Sequence, residues 1–258
     1  MNPILKTTEL SKSFGGLAAV DGISLTIDPD ERAVGIIGPN GSGKTTLFNL
    51  LTGLFLPTAG RIVFQGQDIT QMSPNRRVLK GIARTFQLVS VFDRMTPWEN
   101  LVLASIRFDR RQSSPARFML KSTCSRDILS RCGRTLALMG LEAVAASRTA
   151  ELSYGSKRML EIGMALSLEP KLLLLDEPLA GLSDFEIVEV VEVLKEIKTR
   201  LNLIIIEHKL SKIGDLVDRY VVLNEGKVIC EGDPGQVLSD ETVRECYWGK
   251  AQLNTGTA

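Results

Sequence analysis

Apolar residues gather in short dense runs toward both ends of the chain and fall at helical spacing in between. Ile4–Leu10, Ile23–Ile27, Ala33–Ile37 and Arg61–Phe64 predict strands, set apart by the turn-forming stretches Asp28-Pro29-Asp30 and Pro57-Thr58-Ala59-Gly60. Leu172–Leu175 and Leu203–Ile206 are unbroken apolar runs, the pattern of strands covered on both faces. Leu47, Leu50 and Leu51 place a helix after Lys44, and from 88 to 167 the spacing is helical throughout. Within that stretch, Thr96-Pro97-Trp98-Glu99 reads as a helix start, with Thr capping, Pro at the first position and Glu three residues on. Ile187, Val190, Val191, Leu194 and Ile197 share one face of a helix over Asp184–Thr199, which should pack on a sheet. Asp233-Pro234-Gly235-Gln236 starts another helix by the same capping logic. The pattern predicts an α/β core from residues 1–87 and 168–258, split by a helical insertion over 88–167.

Composition narrows the class. Apolar residues make up 44% of the 258, enough for a sizeable core, and the net charge of +1 gives no general attraction to nucleic acid or membrane. The longest apolar runs are far short of the roughly 20 residues that span a bilayer. Met1-Asn2-Pro3-Ile4 shows no basic segment leading into an apolar one, so a soluble cytoplasmic protein with reduced thiols at Cys124, Cys132, Cys230 and Cys246 is expected. The single histidine, His208, argues against a multi-histidine metal site. One local bias stands out: Arg107, Arg110, Arg111, Arg117, Lys121, Arg126, Arg131 and Arg134 face only Asp109 and Asp127. A solvated helix and loop explains it; contact with anionic headgroups or an acidic permease surface is the alternative.

The chemistry lies in a few short stretches. Gly38-Pro39-Asn40-Gly41-Ser42-Gly43-Lys44-Thr45, between a strand and a helix and followed by Thr46, is a phosphate-binding loop. Its glycines let successive N–H groups curl around phosphate oxygens, and the helix start favours the anion. Lys44 supplies a point charge to the outer phosphates, and the Thr45 hydroxyl a ligand for Mg²⁺. Asp176 and Glu177 end the Leu172–Leu175 strand, where open α/β sheets place ligands. Asp176 is a candidate Mg²⁺ ligand, and Glu177 a candidate base for an attacking water. Gln87, at the edge of the insertion, is a candidate sensor of the terminal phosphate and of Mg²⁺. His208 follows the second apolar strand and could donate to the same phosphate, while Phe14 offers an aromatic face for adenine.

These residues, with Leu152-Ser153-Tyr154-Gly155-Ser156 upstream of the two acids, resemble the ordered motifs of ATP-binding cassette (ABC) ATPases over nearly the whole chain. Walker A resembles Gly38–Thr45, the Q-loop Gln87, the signature Leu152–Ser156, Walker B Leu172–Asp176, the D-loop Gly181-Leu182-Ser183-Asp184 and the switch His208. Phe14-Gly15-Gly16-Leu17, Arg84-Thr85-Phe86-Gln87, Leu160-Glu161-Ile162, Ala180-Gly181-Leu182 and Tyr247-x-Gly249 are similar to the ATPases of branched-chain amino acid importers, with urea and amide importers close behind. The resemblance implies an α/β P-loop NTPase (RecA-like) core with an antiparallel β edge and an inserted α-helical subdomain. It also implies ATP and Mg²⁺ as cofactors, and a second ATPase subunit (a copy or a paralogue) whose phosphate loop faces Ser153 and Gly155. Two membrane permeases and, indirectly, an extracytoplasmic solute-binding protein complete the expected complex, at the cytoplasmic face of the membrane. Ser156 stands where Gln or an acid is usual, Gly163-Met164-Ala165 replaces Ala-Arg-Ala, and Lys209 replaces an Asp beside the switch; none removes a group needed for hydrolysis. A mechanical or nucleic-acid-handling ABC protein would need long heptad arms or a second cassette, which this sequence lacks, so nucleic acid is not an expected partner. An exporter or lipid-extraction ATPase is the remaining alternative.

Overall fold

The computed structural model describes residues 2–106 and 126–248. A parallel sheet forms the centre, from β4 (Ala33–Ile37), β7 (Ile82–Arg84), β8 (Leu172–Asp176), β9 (Asn202–Ile206) and β10 (Arg219–Asn224), in the order β10-β4-β9-β8-β7. The last strand, β11 (Lys227–Gly232), adds antiparallel to β10 at the edge. Every residue of β4, β8 and β9 is buried, which is why their sequences run apolar without alternation. The strands still have two faces. Leu173, Leu175, Leu203 and Ile205 point into one core, and Leu172, Leu174, Ile204 and Ile206 into the other.

The second of these cores is closed by α1 (Lys44–Thr52) and by an antiparallel sheet of β1 (Leu5–Phe14), β2 (Leu17–Ile23), β3 (Thr26–Ile27), β5 (Ala59–Phe64) and β6 (Gln67–Asp68). The expected strand Ile23–Ile27 is not one element: Ile23 ends β2, and β3 holds only Thr26 and Ile27. Gly15 and Gly16, at φ +54° and +91°, turn the chain so that Phe14 pairs with Leu17. That two-residue turn of positive φ matches the twist of the flanking strands and creates β2. The β10–β11 hairpin, also not among the expected strands although Tyr220–Leu223 is an apolar run, turns at Glu225 and Gly226 with φ +47° and +79°.

The first core is covered by α3 (Pro97–Ile106), α4 (Arg126–Leu138), α5 (Tyr154–Leu166) and α6 (Asp184–Lys198), after the short α2 (Pro74–Lys80) on the opposite side. The Thr96 start is realised: Thr96 N donates to Glu99 Oε2 at 2.8 Å and Glu99 N to Thr96 Oγ1 at 3.2 Å. Among the described residues, no strand lies between Gln87 and Leu168. Short helices α7 (Leu210–Ile213), α8 (Pro234–Ser239) and α9 (Glu241–Trp248) are the last among the described residues, with Asp233 capping α8. Arg77 in α2 is wholly buried and donates to Leu50 O, Leu51 O, Thr70 O and Met72 O, satisfying the carbonyl end of α1; burial lowers its pKa to about 10.

Of the basic run, Arg131 pairs with Glu169 at 2.6 Å and Arg134 donates to Ser130 Oγ. Arg107, Arg110, Arg111, Arg117, Lys121, Cys124 and Gly249 lie outside the described residues. No helix among the described residues is long and apolar enough to cross a membrane.

Candidate active site

β4 runs into the loop Gly38–Gly43, and α1 begins at Lys44. The loop follows a path that needs glycine: a Cβ on Gly38 would stand 2.1 Å from Leu223 O, and one on Gly43 2.4 Å from Ala19 O. Lys44 folds back over it, donating to Gly38 O at 2.7 Å and Pro39 O at 2.9 Å. Burial pushes the Lys44 pKa down, while the nearby Glu177 and Asp176 pull it up. Asn40, Gly41 and Thr45 are exposed at the mouth, with Thr46 half-buried behind them. The Gly38 N–H donates to the Tyr247 hydroxyl, so α9 braces the loop from outside. Sequence reasoning noted Tyr247 only as part of a resemblance.

The expected catalytic side chains meet at the ends of β8 and β9. Asp176, buried, pairs with Arg84 at 2.7 Å through Oδ2. Glu177 sits at φ +48°, a sparsely populated conformation for a non-glycine residue, and its N–H donates to Ile206 O at 2.9 Å. Its carboxylate receives Gln87 Nε2 on Oε2 at 3.2 Å and lies 3.2 Å from His208 Nε2 through Oε1. Three residues from distant parts of the sequence therefore share one contact cluster. Behind them, Glu207 is 2% exposed and accepts from Leu179 N, His208 N and Lys209 N at 2.7, 2.9 and 3.2 Å. It ties the loop after Glu177 to the loop holding His208. An acid placed directly after an apolar strand was the available signal, and the reading passed over it.

Gln87 is in turn held by α5. Arg158, wholly buried, donates to Phe86 O and Gln87 O at 3.0 Å each and to Glu161 Oε2 at 2.8 Å, and Glu161 Oε1 accepts from Phe86 N. Ser153 and Gly155 belong to a different neighbourhood, at the start of α5. Ser153 caps that helix by accepting from Ser156 N at 3.1 Å, and Gly155 N donates to Glu186. Phe14 lies on the surface, edge-on to Phe55 at 5.4 Å with Lys12 over its ring.

The donors suit a hard divalent ion held partly by its ligand's phosphate oxygens and by water. Among the described residues no group of three His, Cys, Asp or Glu side chains forms a protein cage, whereas Thr45 offers an exposed hydroxyl and Asp176 a carboxylate fixed at one oxygen. Replacing Lys44 by Ala removes the ammonium that folds over the loop. Nucleotide affinity is expected to fall at least about tenfold, as for loss of a charge-assisted contact to phosphate, in a calorimetric titration with ATP.

Comparison with known proteins agrees with this arrangement. The family model for the ABC transporter matches residues 20–180. The chain is 36% identical over 257 residues to the high-affinity branched-chain amino acid transport ATP-binding protein LivG of Escherichia coli, covering 96% of this chain and 99% of that one. It is 34% identical over 253 residues to the corresponding protein BraF of Pseudomonas aeruginosa, with the same coverage. The crystal structure of the ADP conformation of MJ1267, an ATP-binding cassette of an ABC transporter, superposes with a TM-score of 0.85 at 33% identity, over 97% of this chain and 100% of that one. The chain belongs to the ABC transporter family, as one of its ATP-binding cassettes.

Proposed function

We propose that this chain is the ATP-hydrolysing subunit of an importer for branched-chain or related amino acids. The meeting of Gln87, Glu177 and His208 beside the phosphate loop carries the catalytic part of this reading. The full-length similarity to LivG and BraF carries the solute class. The core over 1–87 and 168–258 holds ATP: the Gly38–Thr46 loop and Lys44 grip the phosphates, and Phe14 stacks on the base. Thr45, Gln87 and Asp176 would hold Mg²⁺, which supplies charge neutralisation at the outer phosphates. Glu177 takes the proton of the attacking water, Gln87 orients that water, and His208 donates to the terminal phosphate.

Ser153 and Gly155, at the start of a helix in the 88–167 segment, bond Ser156 and Glu186 rather than their own phosphate loop among the described residues. They complete the site of a neighbouring ATPase, a second copy or a paralogue, with the helix start facing that subunit's terminal phosphate. Phe86, Leu88 and Phe92 flank Gln87 with exposures of 47, 80 and 50%, an apolar surface suited to a permease. Nucleotide state at Gln87 then reaches the membrane partner through the segment that touches it. The subunit works peripherally on the cytoplasmic face, with the solute-binding protein engaged only through the permeases.

The test is to purify the native complex through this chain and reconstitute it. ATP turnover is expected to rise several-fold when the associated receptor carries a branched-chain amino acid, about the size of an ordinary coupling energy. Turnover indifferent to any membrane partner, or stimulated by nucleic acid, overturns the importer assignment.

A further inference from the structure

Gly155 lies in the first turn of α5, where its backbone N–H has no carbonyl of its own helix to bond. That N–H donates to Glu186 Oε1 at 3.2 Å. The other oxygen of the same carboxylate, Oε2, accepts from Ser183 N at 2.9 Å and Ser183 Oγ at 2.7 Å, closing the capping box of α6. One side chain thus bridges the starts of two helices. The approach depends on glycine: a Cβ on residue 155 would stand 2.4 Å from Glu186 Oε1. Ser183 foremost, with Gly155 adding, holds the Glu186 pKa below its ordinary value, so an anion occupies this position.

On the proposed reading, the Gly155 N–H faces the terminal phosphate of ATP bound by the neighbouring cassette, and the present step rests on that reading. One N–H donates fully to one acceptor, and a carboxylate and a phosphate oxygen at the same donor repel each other. We infer that Glu186 is a positioning residue that holds the Gly155 amide while nucleotide is absent and must release it before an ATP-loaded neighbour can seat. Pairing of the cassettes is therefore set against an internal contact of this subunit. Its release frees the signature turn from the Ser183 end of the D-loop, so the two elements adjust separately around the incoming phosphate. Ser183 keeps the carboxylate in its capping role throughout, which leaves α6 intact.

Glu186→Gln tests this, because the amide oxygen still caps at Ser183 while the competing charge is gone. In the native transporter, the half-saturating ATP concentration for turnover is expected to fall about fivefold, the lower end of coupling between two ligands, with the maximal rate moved less than about twofold. Glu186→Ala should shift the same quantity in the same direction, and Gly155 amide exchange in the ATP-free chain should accelerate. A merely structural role moves it the other way: loss of the cap loosens α6 and raises the ATP requirement, and only for Ala. An unchanged or raised ATP requirement in both variants overturns the inference. Ser153→Ala, measured alongside, separates the two levels. If that variant turns over normally, the shared site itself is wrong; if it is impaired while Glu186→Gln shifts nothing, only the role of Glu186 falls.

Discussion

Replacing Glu177 by Gln is expected to leave ATP binding intact and slow hydrolysis by about 10²–10⁴-fold, the usual worth of a positioned general base. The argument starts at the backbone. Asp176 ends β8 in regular extended geometry, with its carboxylate committed to Arg84. At the next residue φ turns to +48°, which swings Glu177 away from Arg84 and toward Gln87 and His208. That conformation costs of order 1–3 kcal/mol, and the Glu177 N–H bond to Ile206 O helps to hold it. Gln keeps the size, the conformation and one acceptor oxygen, and loses only the capacity to take a proton. Phosphate release under single-turnover conditions measures the rate, and light scattering reports whether ATP then traps paired subunits. A rate near that of the unmodified chain removes Glu177 from the base role. Asp176→Asn makes the contrast: it breaks a buried ion pair and should weaken folding as well as activity.

Much of this site was legible because it lies where the chain pattern changes. β4, β8 and β9 announce themselves as apolar runs; the phosphate loop follows β4 directly, Asp176 ends β8 with Glu177 next, and His208 stands two residues past β9. Parallel pairing places those strand ends side by side, so reading the strands nearly places the residues. Gln87 could be placed only through its position at the start of the helical segment. What the pattern hid is of another kind. Arg77, Arg158, Glu161 and Glu207 are charged residues that the fold buries, and each bonds backbone groups of another element. Arg158 reaches Phe86 across 72 residues of sequence. Hydrophobic periodicity marks an apolar face and treats any charge as solvated. It carries no information on which carbonyls a distant loop will leave without partners. The hairpins at Gly15-Gly16 and Glu225-Gly226 escaped for a simpler reason: β2 and β11 lie at sheet edges and alternate weakly, and the buried apolar run Tyr220–Leu223 of β10, inside its sheet, was passed over.

The second large effect is expected at Arg158, where replacement by Met should cost about 3–5 kcal/mol, as when one partner of a buried ion pair is removed. For a chain of this size that corresponds to roughly 10 °C in Tm by thermal denaturation. The guanidinium is wholly buried and bonds Phe86 O, Gln87 O, Glu161 and the Tyr154 hydroxyl, the last at 3.3 Å. Without it, two carbonyls lose their donor and Glu161 becomes an uncompensated buried acid. Burial already raises the Glu161 pKa, opposed by the Phe86 N–H and by Arg158. Met in place of Arg158 removes one of those opposing groups, so protonation becomes the easier outcome. Adding Glu161→Leu removes the stranded carboxyl and should return at least half of the lost stability, since an apolar pair of similar volume is a tolerable substitute for a buried ion pair. Activity should not return with it. Arg158 and Glu161 together fix Phe86 and Gln87 from both the carbonyl and the amide side, and an apolar pair fills the space without fixing either. A double variant that is stable yet still slow in turnover separates the two duties of this ion pair. Recovery of both properties together reduces it to packing, and a single variant destabilised by less than about 1 kcal/mol, the range of exposed pairs, contradicts the burial argument outright.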